Sequence, residues 1–241
     1  MSNPVFLCDD LSGGQVVLDG PEGRHAALVR RIRVGEVVDL VDGVGTRCTG
    51  PVVATTRETI TVALAERVVE AAPTPRITLV QALAKGDRGE LAVELATEMG
   101  VDVVVPWSAA RCVVSWSGDR GAKALGRWRS TAREAGKQSR RAWLPVVTEL
   151  ASTGEVAALD GMLLVLHEQA SVPLSGLDLV GDSVGDSVGD IVLVVGPEGG
   201  IAPEELALLG GTAVRLGASV LRTSTAGAAG VAVVSAQTGR W

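Results

Sequence analysis

Two short stretches near the C-terminus carry residue types whose spacing could build a chemical site. The first, Gly196-Pro197-Glu198-Gly199-Gly200-Ile201, follows directly on the apolar run 191–195. The second runs from Leu216-Gly217 through Val220-Leu221-Arg222-Thr223-Ser224 to Ala226, after Val214-Arg215. In both, a β-branched and aliphatic run gives way to glycine, which frees the backbone for tight turns and close approach to a ligand. What the stretches offer is backbone N–H and C=O groups, small side chains and two charges, Glu198 and Arg222. A carboxylate can accept or orient a proton, and a guanidinium can stabilise a developing anion. A third loop belongs with them: the apolar run 162–166 ends in Leu166 and leads into His167-Glu168.

The flanking elements explain why these loops would share one sheet edge. A short continuous apolar run such as 191–195 reads as a strand buried on both faces of a parallel sheet. Pro203-Glu204-Glu205-Leu206 has the proline and acids of a helix start. Residues 214–216 form a short strand, Gly217 ends it, and Thr223 or Ser224 can cap a small-residue helix running through Ala236. Upstream, strands at 77–83, 101–106 and 162–167 alternate with helices. One covers 87–99, with Leu91, Leu95 and Met99 on its apolar face; the other covers 119–138, kinked or ended at Gly136. This alternation predicts an α/β domain with helices on both faces of a parallel sheet, and ligands in such sheets bind beyond the strands' carboxyl ends. Gly-rich strand-to-helix turns also occur without any ligand, so on pattern alone a purely structural reading stands equal.

Residues 1 to about 72 read as β. Short runs at 15–18, 36–41, 48–55 and 58–64, parted by turn pairs such as Asp42-Gly43, predict a small barrel. One helix, 22–32, interrupts it, with Ala26, Ala27, Val29 and Ile32 as its apolar side. Glu70-Ala-Ala-Pro-Thr-Pro75 is a stiff linker, giving domains 1–72 and 73–241. Four arginines and His25 crowd residues 24–33, and residues 111–141 hold nine Lys/Arg against two acids on a chain of net charge -6. A concentrated basic segment on an acidic chain can steer a polyanion, although a solvated helix face is the commoner meaning of a charge run.

Composition narrows the classes. With 46% hydrophobic and 21% charged residues, the chain reads as a soluble globular protein. No apolar run spans a membrane and no signal peptide is evident, so a cytoplasmic location is expected. Cys8, Cys48 and Cys112 are far apart without a CxxC pair, so neither a metal site nor a disulfide framework is supported. No dinucleotide fingerprint, P-loop or zincin motif is present, and two histidines in different domains give a Ser-His-Asp hydrolase thin support. The tandem repeat 181–190 reads as a lengthened, mobile surface loop. It matches G-x-S-x-G twice, but it precedes a strand where a nucleophile elbow must follow one.

Gly196-Pro-Glu-Gly-Gly-Ile-Ala-Pro-Glu-Glu205 together with Leu216-Gly-x-x-Val-Leu-Arg-Thr223 resembles the signature of the RsmE family. These are SPOUT-class RNA methyltransferases acting on N3 of a uridine in small-subunit (16S) ribosomal RNA. The resemblance continues through Lys85-Gly86, Glu98-Met-Gly100 and Glu134…Gln138-Ser139-Arg140. In the first domain His25, Val29-Arg30-Arg31 and Gly35-Glu36 match the family's PUA-like RNA-binding module, with Arg30 in place of a leucine. Ser224 stands where the family motif has a glutamate.

The resemblance implies a SPOUT domain with a deep trefoil knot, a PUA-like β-barrel before it, a homodimer that completes the site, and S-adenosyl-L-methionine as cofactor. Leu166, His167, Glu168, Gly196, Gly199, Gly200, Ile201, Leu216, Gly217, Val220, Leu221 and Thr223 are the candidate cofactor-binding residues. Arg222 and Glu198 are the catalytic candidates. His25, Arg31, Arg33, Lys85, Arg133, Arg140 and Arg141 are the candidate contacts to ribosomal RNA, with neither metal nor membrane involved. Two other readings remain: a non-catalytic RNA-binding or ribosome-assembly factor, and a SPOUT enzyme methylating another atom such as a ribose 2′-oxygen.

Overall fold

A computed structural model describes residues 3–179 and 189–241. The repeat expected to form a long surface loop therefore lies, from Gly181 to Val188, outside the described residues. The chain divides into two compact units. The first comprises Met1–Ala72 and Gly136–Leu144, the second Pro73–Ala135 and Pro145–Trp241. Residues 136–144, assigned from sequence to the 73–241 domain, thus group with the N-terminal unit. The reason is local. Lys137 is buried in an ion pair with Glu22 at 2.8 Å, and Ala142 and Leu144 pack with Leu7 and Val41.

The first unit contains β1 (Val5–Leu7), β2 (Gln15–Leu18), α1 (Gly20–Arg24), β3 (Val37–Val41), β4 (Thr46–Thr55), β5 (Ile60–Ala63) and β6 (Glu66–Val69). The ladder runs β1-β3-β4-β5-β2, with β6 beside β4; β1 joins β3 in parallel and every other pair is antiparallel. Phe6, Val16, Leu18, Val38, Leu40, Val52, Ile60 and Val62, drawn from five strands, meet in one core. Gly50 lets β4 lie close against the end of β5, because a Cβ there would collide with the Ala63 carbonyl oxygen.

The helix expected over 22–32 is shorter and wider. After α1, residues His25–Val29 form a π-helical turn, closed by Arg30 N–H to His25 O at 2.9 Å and Ile32 N–H to Ala26 O at 3.1 Å. Arg31 then takes the left-handed conformation, φ +55°. The extra residue per turn rotates the apolar face. Ala26 and Ile32 are buried as expected, whereas Val29 is 67% exposed.

The second unit contains β7 (Ile77–Ala82), α2 (Arg88–Glu98), β8 (Val103–Trp107), α3 (Gly118–Gln138, passing into the first unit at Gly136), β9 (Val146–Val147), α4 (Thr153–Ala157), β10 (Met162–Leu166), β11 (Val172–Pro173), β12 (Ile191–Val195), α5 (Pro203–Leu209), β13 (Thr212–Arg215) and α6 (Thr223–Gln237). All seven strands are parallel, in the order β11-β13-β10-β12-β7-β8-β9. Alternate residues of β12 feed opposite cores. Ile191, Leu193 and Val195 pack with Val93, Val231 and Val234, and Val192 and Val194 pack with Val156 and Leu209. That double burial is why the strand is an unbroken apolar run. Each fully buried Leu or Ile of this kind contributes about 1.5–3 kcal/mol.

Three details differ from the sequence reading. The buried face of α2 is Ala92, Val93, Ala96 and Thr97, and Leu91 is 41% exposed. Its partner α6 is mainly Ala, Gly and Val, so small side chains on both helices suit a close approach. Helix α3 runs through Gly136 without ending there. Neither Thr223 nor Ser224 caps α6: Arg222 holds the N-cap position and makes no side-chain cap.

Candidate cofactor site

The register brings three strand ends together. Leu166 at the end of β10 lies opposite Val195 of β12 on one side and Val214 of β13 on the other. The loops beyond these ends enclose a cleft of about 390 Å³, within the range of small-molecule sites. Of the candidate cofactor residues, Leu166, His167, Glu168, Gly196, Gly200, Ile201, Leu216, Gly217, Val220, Leu221 and Thr223 line it. Both catalytic candidates, Glu198 and Arg222, line it too. Gly199 is absent from the wall and lies instead against Arg111, to whose Cβ an added Cβ would come within 3.3 Å.

Each loop has its own fastening. After β10, His167 N–H donates to Val214 O at 2.8 Å, and its Nδ1 accepts from Gln169 N–H at 3.2 Å. The Arg215 guanidinium donates to the carbonyls of Ala170 and Ser171, tying that loop to β13. After β12, Gly200 N–H closes a turn on Pro197 O at 2.9 Å, and Gly200 has φ +73°. A Cβ at Gly196 would fall 2.6 Å from Ile201 Cγ1, so the motif's first glycine makes room for its own isoleucine. Glu198 accepts from Arg88 Nη1 at 3.2 Å.

The Thr223 hydroxyl joins the second and third loops. It donates to Gly196 O at 3.0 Å and accepts from buried Gln81 Nε2 at 2.9 Å. This bond replaces the expected capping role. Between Gly217 and Arg222 the third loop is exposed, Val220 to 78%. Ser224 is buried.

Sequence reasoning missed Arg88, Val195, Pro197, Arg215, Ala218, Ser219 and Ala226 in the wall. A signal existed for Arg88: it ends Lys85-Gly-Asp-Arg88, which follows β7 at the carboxyl edge of the sheet. Arg88, the first residue of α2, is what reaches the cleft.

The candidate RNA contacts divide between the units. In the first, Arg31, Arg33 and Arg140 are exposed and Arg141 is half-buried. His25 is half-buried with its ring edge-on to Phe6, centroids 6.2 Å apart. Arg140 takes φ +58°, and its carbonyl accepts from Arg47 at 2.8 Å. In the second unit Lys85 and Arg133 are exposed. The basic segment is not one free stripe: Arg127 pairs with Glu90 at 2.8 Å, Arg129 with Glu149 at 2.7 Å, and Lys137 is buried on Glu22. Among the described residues no cluster of three metal-ligating side chains occurs, and no helix is long and apolar enough to cross a membrane.

The parallel sheet with its glycine-lined cleft and the small β unit before it are both matched by models of RNA methyltransferases. An RNA methyltransferase domain model matches residues 70–235, and an RNA methyltransferase PUA domain model matches residues 18–64. The chain belongs to the ribosomal RNA small subunit methyltransferase E family. It is 45% identical to the enzyme of that name from Mycobacterium bovis, over 98% of this chain and 93% of the relative. It is 27% identical to that of Bacillus subtilis, over 92% and 90%. Among solved structures, the Neisseria gonorrhoeae methyltransferase E bound to S-adenosyl methionine superposes with a TM-score of 0.84 at 27% identity, covering 98% of both chains. A putative methyltransferase from Legionella pneumophila, in complex with the same cofactor, gives 0.86 at 26% identity, again over 98% of both.

Proposed function

We propose that this chain is an S-adenosyl-L-methionine-dependent methyltransferase that modifies N3 of a uridine in small-subunit ribosomal RNA. The observation that carries the reading is the cleft itself: three loops, far apart in sequence, close round a space of about 390 Å³. Its residues fit the cofactor. Leu166, Val195, Ile201 and Leu216 supply apolar walls for an adenine, and the backbone at Gly217 is open to approach. Glu168 and Glu198 supply oxygens near which a sulfonium is favourable. Two of the cleft's arginines are already engaged, Arg88 with Glu198 and Arg215 with two carbonyls. When bound, S-adenosylmethionine supplies an electrophilic methyl group.

The chain's own residues handle the rest. Uridine N3 carries a proton at neutral pH, which must leave as the nucleophile forms. Arg222, exposed at the rim, is suited to stabilise the resulting anion. Glu198 shares Oε1 with Arg88, which leaves Oε2 to accept the proton or to orient a group at the rim. Ser224, buried and outside the cleft wall, takes no proton from substrate. The acceptor is therefore Glu198 through Oε2, Glu168, the RNA, or a group from a second subunit. A homodimer that completes the exposed Val220–Arg222 rim and a trefoil knot in the two C-terminal loops belong to the same reading.

Calorimetry with S-adenosylmethionine, followed by nucleoside analysis of 16S RNA methylated by the purified protein, tests this. The expected results are donor binding and 3-methyluridine. A protein that ignores the donor at millimolar concentration is instead a non-catalytic RNA-binding or assembly factor, and a 2′-O-methylated product moves the reaction to the ribose.

A further inference from the structure

Arg111 belongs by sequence to the basic segment that points toward RNA. The structure puts it elsewhere. Its Nη1 donates to the Gly199 carbonyl at 3.1 Å. Gly199 packs on Arg111's own backbone and Cβ, and the same guanidinium nitrogen would lie 3.7 Å from a Cβ at Gly200. Arg111 thus covers the two glycines of the turn that follows β12.

The segment bearing Arg111 is itself anchored. Glu205, a buried carboxylate on α5, accepts from Ala110 N–H at 2.9 Å and from Thr153 Oγ1 at 2.8 Å. Its other oxygen reaches back to Ala202 N–H at 3.4 Å. The glutamate that fixes the start of α5 therefore also fixes the residue before Arg111. A closed circuit results: the turn leads through Ile201 into α5, α5 holds Ala110 through Glu205, and Arg111 returns to the turn at Gly199.

We propose that Arg111 is a positioning residue for the cofactor turn and that it serves donor binding, not RNA binding. The inference rests on the reading of the cleft as the S-adenosylmethionine site. In a turn this rich in glycine the free backbone samples many conformations. A charge-assisted bond to Gly199 O narrows them to the one whose neighbours, Gly200 and Ile201, line the cleft.

The test compares wild type, Arg111→Ala and Arg111→Lys for S-adenosylmethionine affinity by calorimetry, 16S RNA affinity, and the donor and RNA KM values with kcat. Arg111→Ala is expected to weaken donor binding and raise donor KM about five- to tenfold, on the scale of one lost charged hydrogen bond at a half-open site. RNA affinity and kcat should stay within about twofold, and Arg111→Lys, which keeps a cationic donor, should recover most of the loss. Donor affinity unchanged within twofold in Arg111→Ala overturns the proposal, as does a loss of RNA affinity with donor affinity intact. Should Arg111→Ala fail to unfold cooperatively, the same comparison with Arg111→Gln decides. A wild-type protein that binds no donor refutes the underlying reading of the cleft instead, which keeps the two failures apart.

Discussion

Gly196→Ala isolates the packing on which the turn after β12 depends. The backbone at Gly196 is not left-handed, so alanine meets no conformational obstacle there. The obstacle is Ile201, whose Cγ1 would stand 2.6 Å from the new methyl, where 3.4 Å is the start of ordinary contact. Ile201 would have to retreat by about 0.8 Å into a packed core that includes Val194 and Leu209, and overpacking of this kind costs about 1–3 kcal/mol. Removing glycine's freedom in the unfolded chain returns only about 0.4–1 kcal/mol. Ile201→Ala alone should cost about 2–5 kcal/mol as a truncation of a buried side chain. In the double variant the alanine methyl at 196 enters space that Ile201 has left, so the two costs must not add. A coupling of at least about 1 kcal/mol is expected. Urea unfolding followed by tryptophan fluorescence reads it, since four of the five tryptophans lie in the second unit. Donor affinity should follow the same order, because the Gly196 carbonyl is the group Thr223 holds. Additivity within about 0.5 kcal/mol, or a Gly196→Ala protein as stable as wild type, would refute the argument.

Three further outcomes are expected. Thr223→Val removes the acceptor of Gln81 Nε2 and the donor to Gly196 O in a buried place where Gln81 Oε1 has no partner among the described residues; denaturation should show a loss of about 1–3 kcal/mol, and Thr223→Ser should restore it. Asp42 is subject to burial, which raises its pKa, but the hydrogen bonds it accepts from the Thr46 side chain and from the Val44 and Thr46 amides outweigh that and hold it below its ordinary value of 3.8. Its contribution is therefore complete above that value and lost as pH falls through the lowered one; an acid titration of unfolding should show Asp42→Asn abolishing that part of the pH dependence. Arg31→Ala and Arg140→Ala should each weaken binding to 16S RNA and flatten its salt dependence by about one charge, while donor affinity stays level in calorimetry.

Much of this fold could be read from the chain because its strands are locally emphatic. β12 is five aliphatic residues buried on both faces, and α5 opens on Pro203 with two acids behind it. Such segments announce themselves without reference to any partner. Where the reading failed, the deciding physics was either a departure from regular geometry or a neighbour distant in sequence. No periodicity argument anticipates a π turn after Arg24, and that turn alone put Val29 into solvent. Leu91 looked like the core side of α2 by spacing, yet the small-residue surface of α6 made Ala92 and Ala96 the better fit.

The site divides along the same line. Glycines after strands mark the loops, so most of the wall was accessible from motif and spacing. The contacts that hold those loops in place were not, since each spans a long stretch of chain: Arg111 to Gly199, Arg88 to Glu198, Gln81 to Thr223. All three outside partners come from segments that follow β7 or β8 or, for Gln81, from β7 itself. In a parallel sheet every strand delivers its loop to the same edge, so strands that carry none of the motif still reach the site. That is why an arginine read as part of an RNA-facing charge run can sit on the turn after β12. It is also why Ser224, inside the motif and one residue from Thr223, can be buried and take no part in the wall. Position along the motif says which loop a residue is on; the sheet edge decides which residues meet.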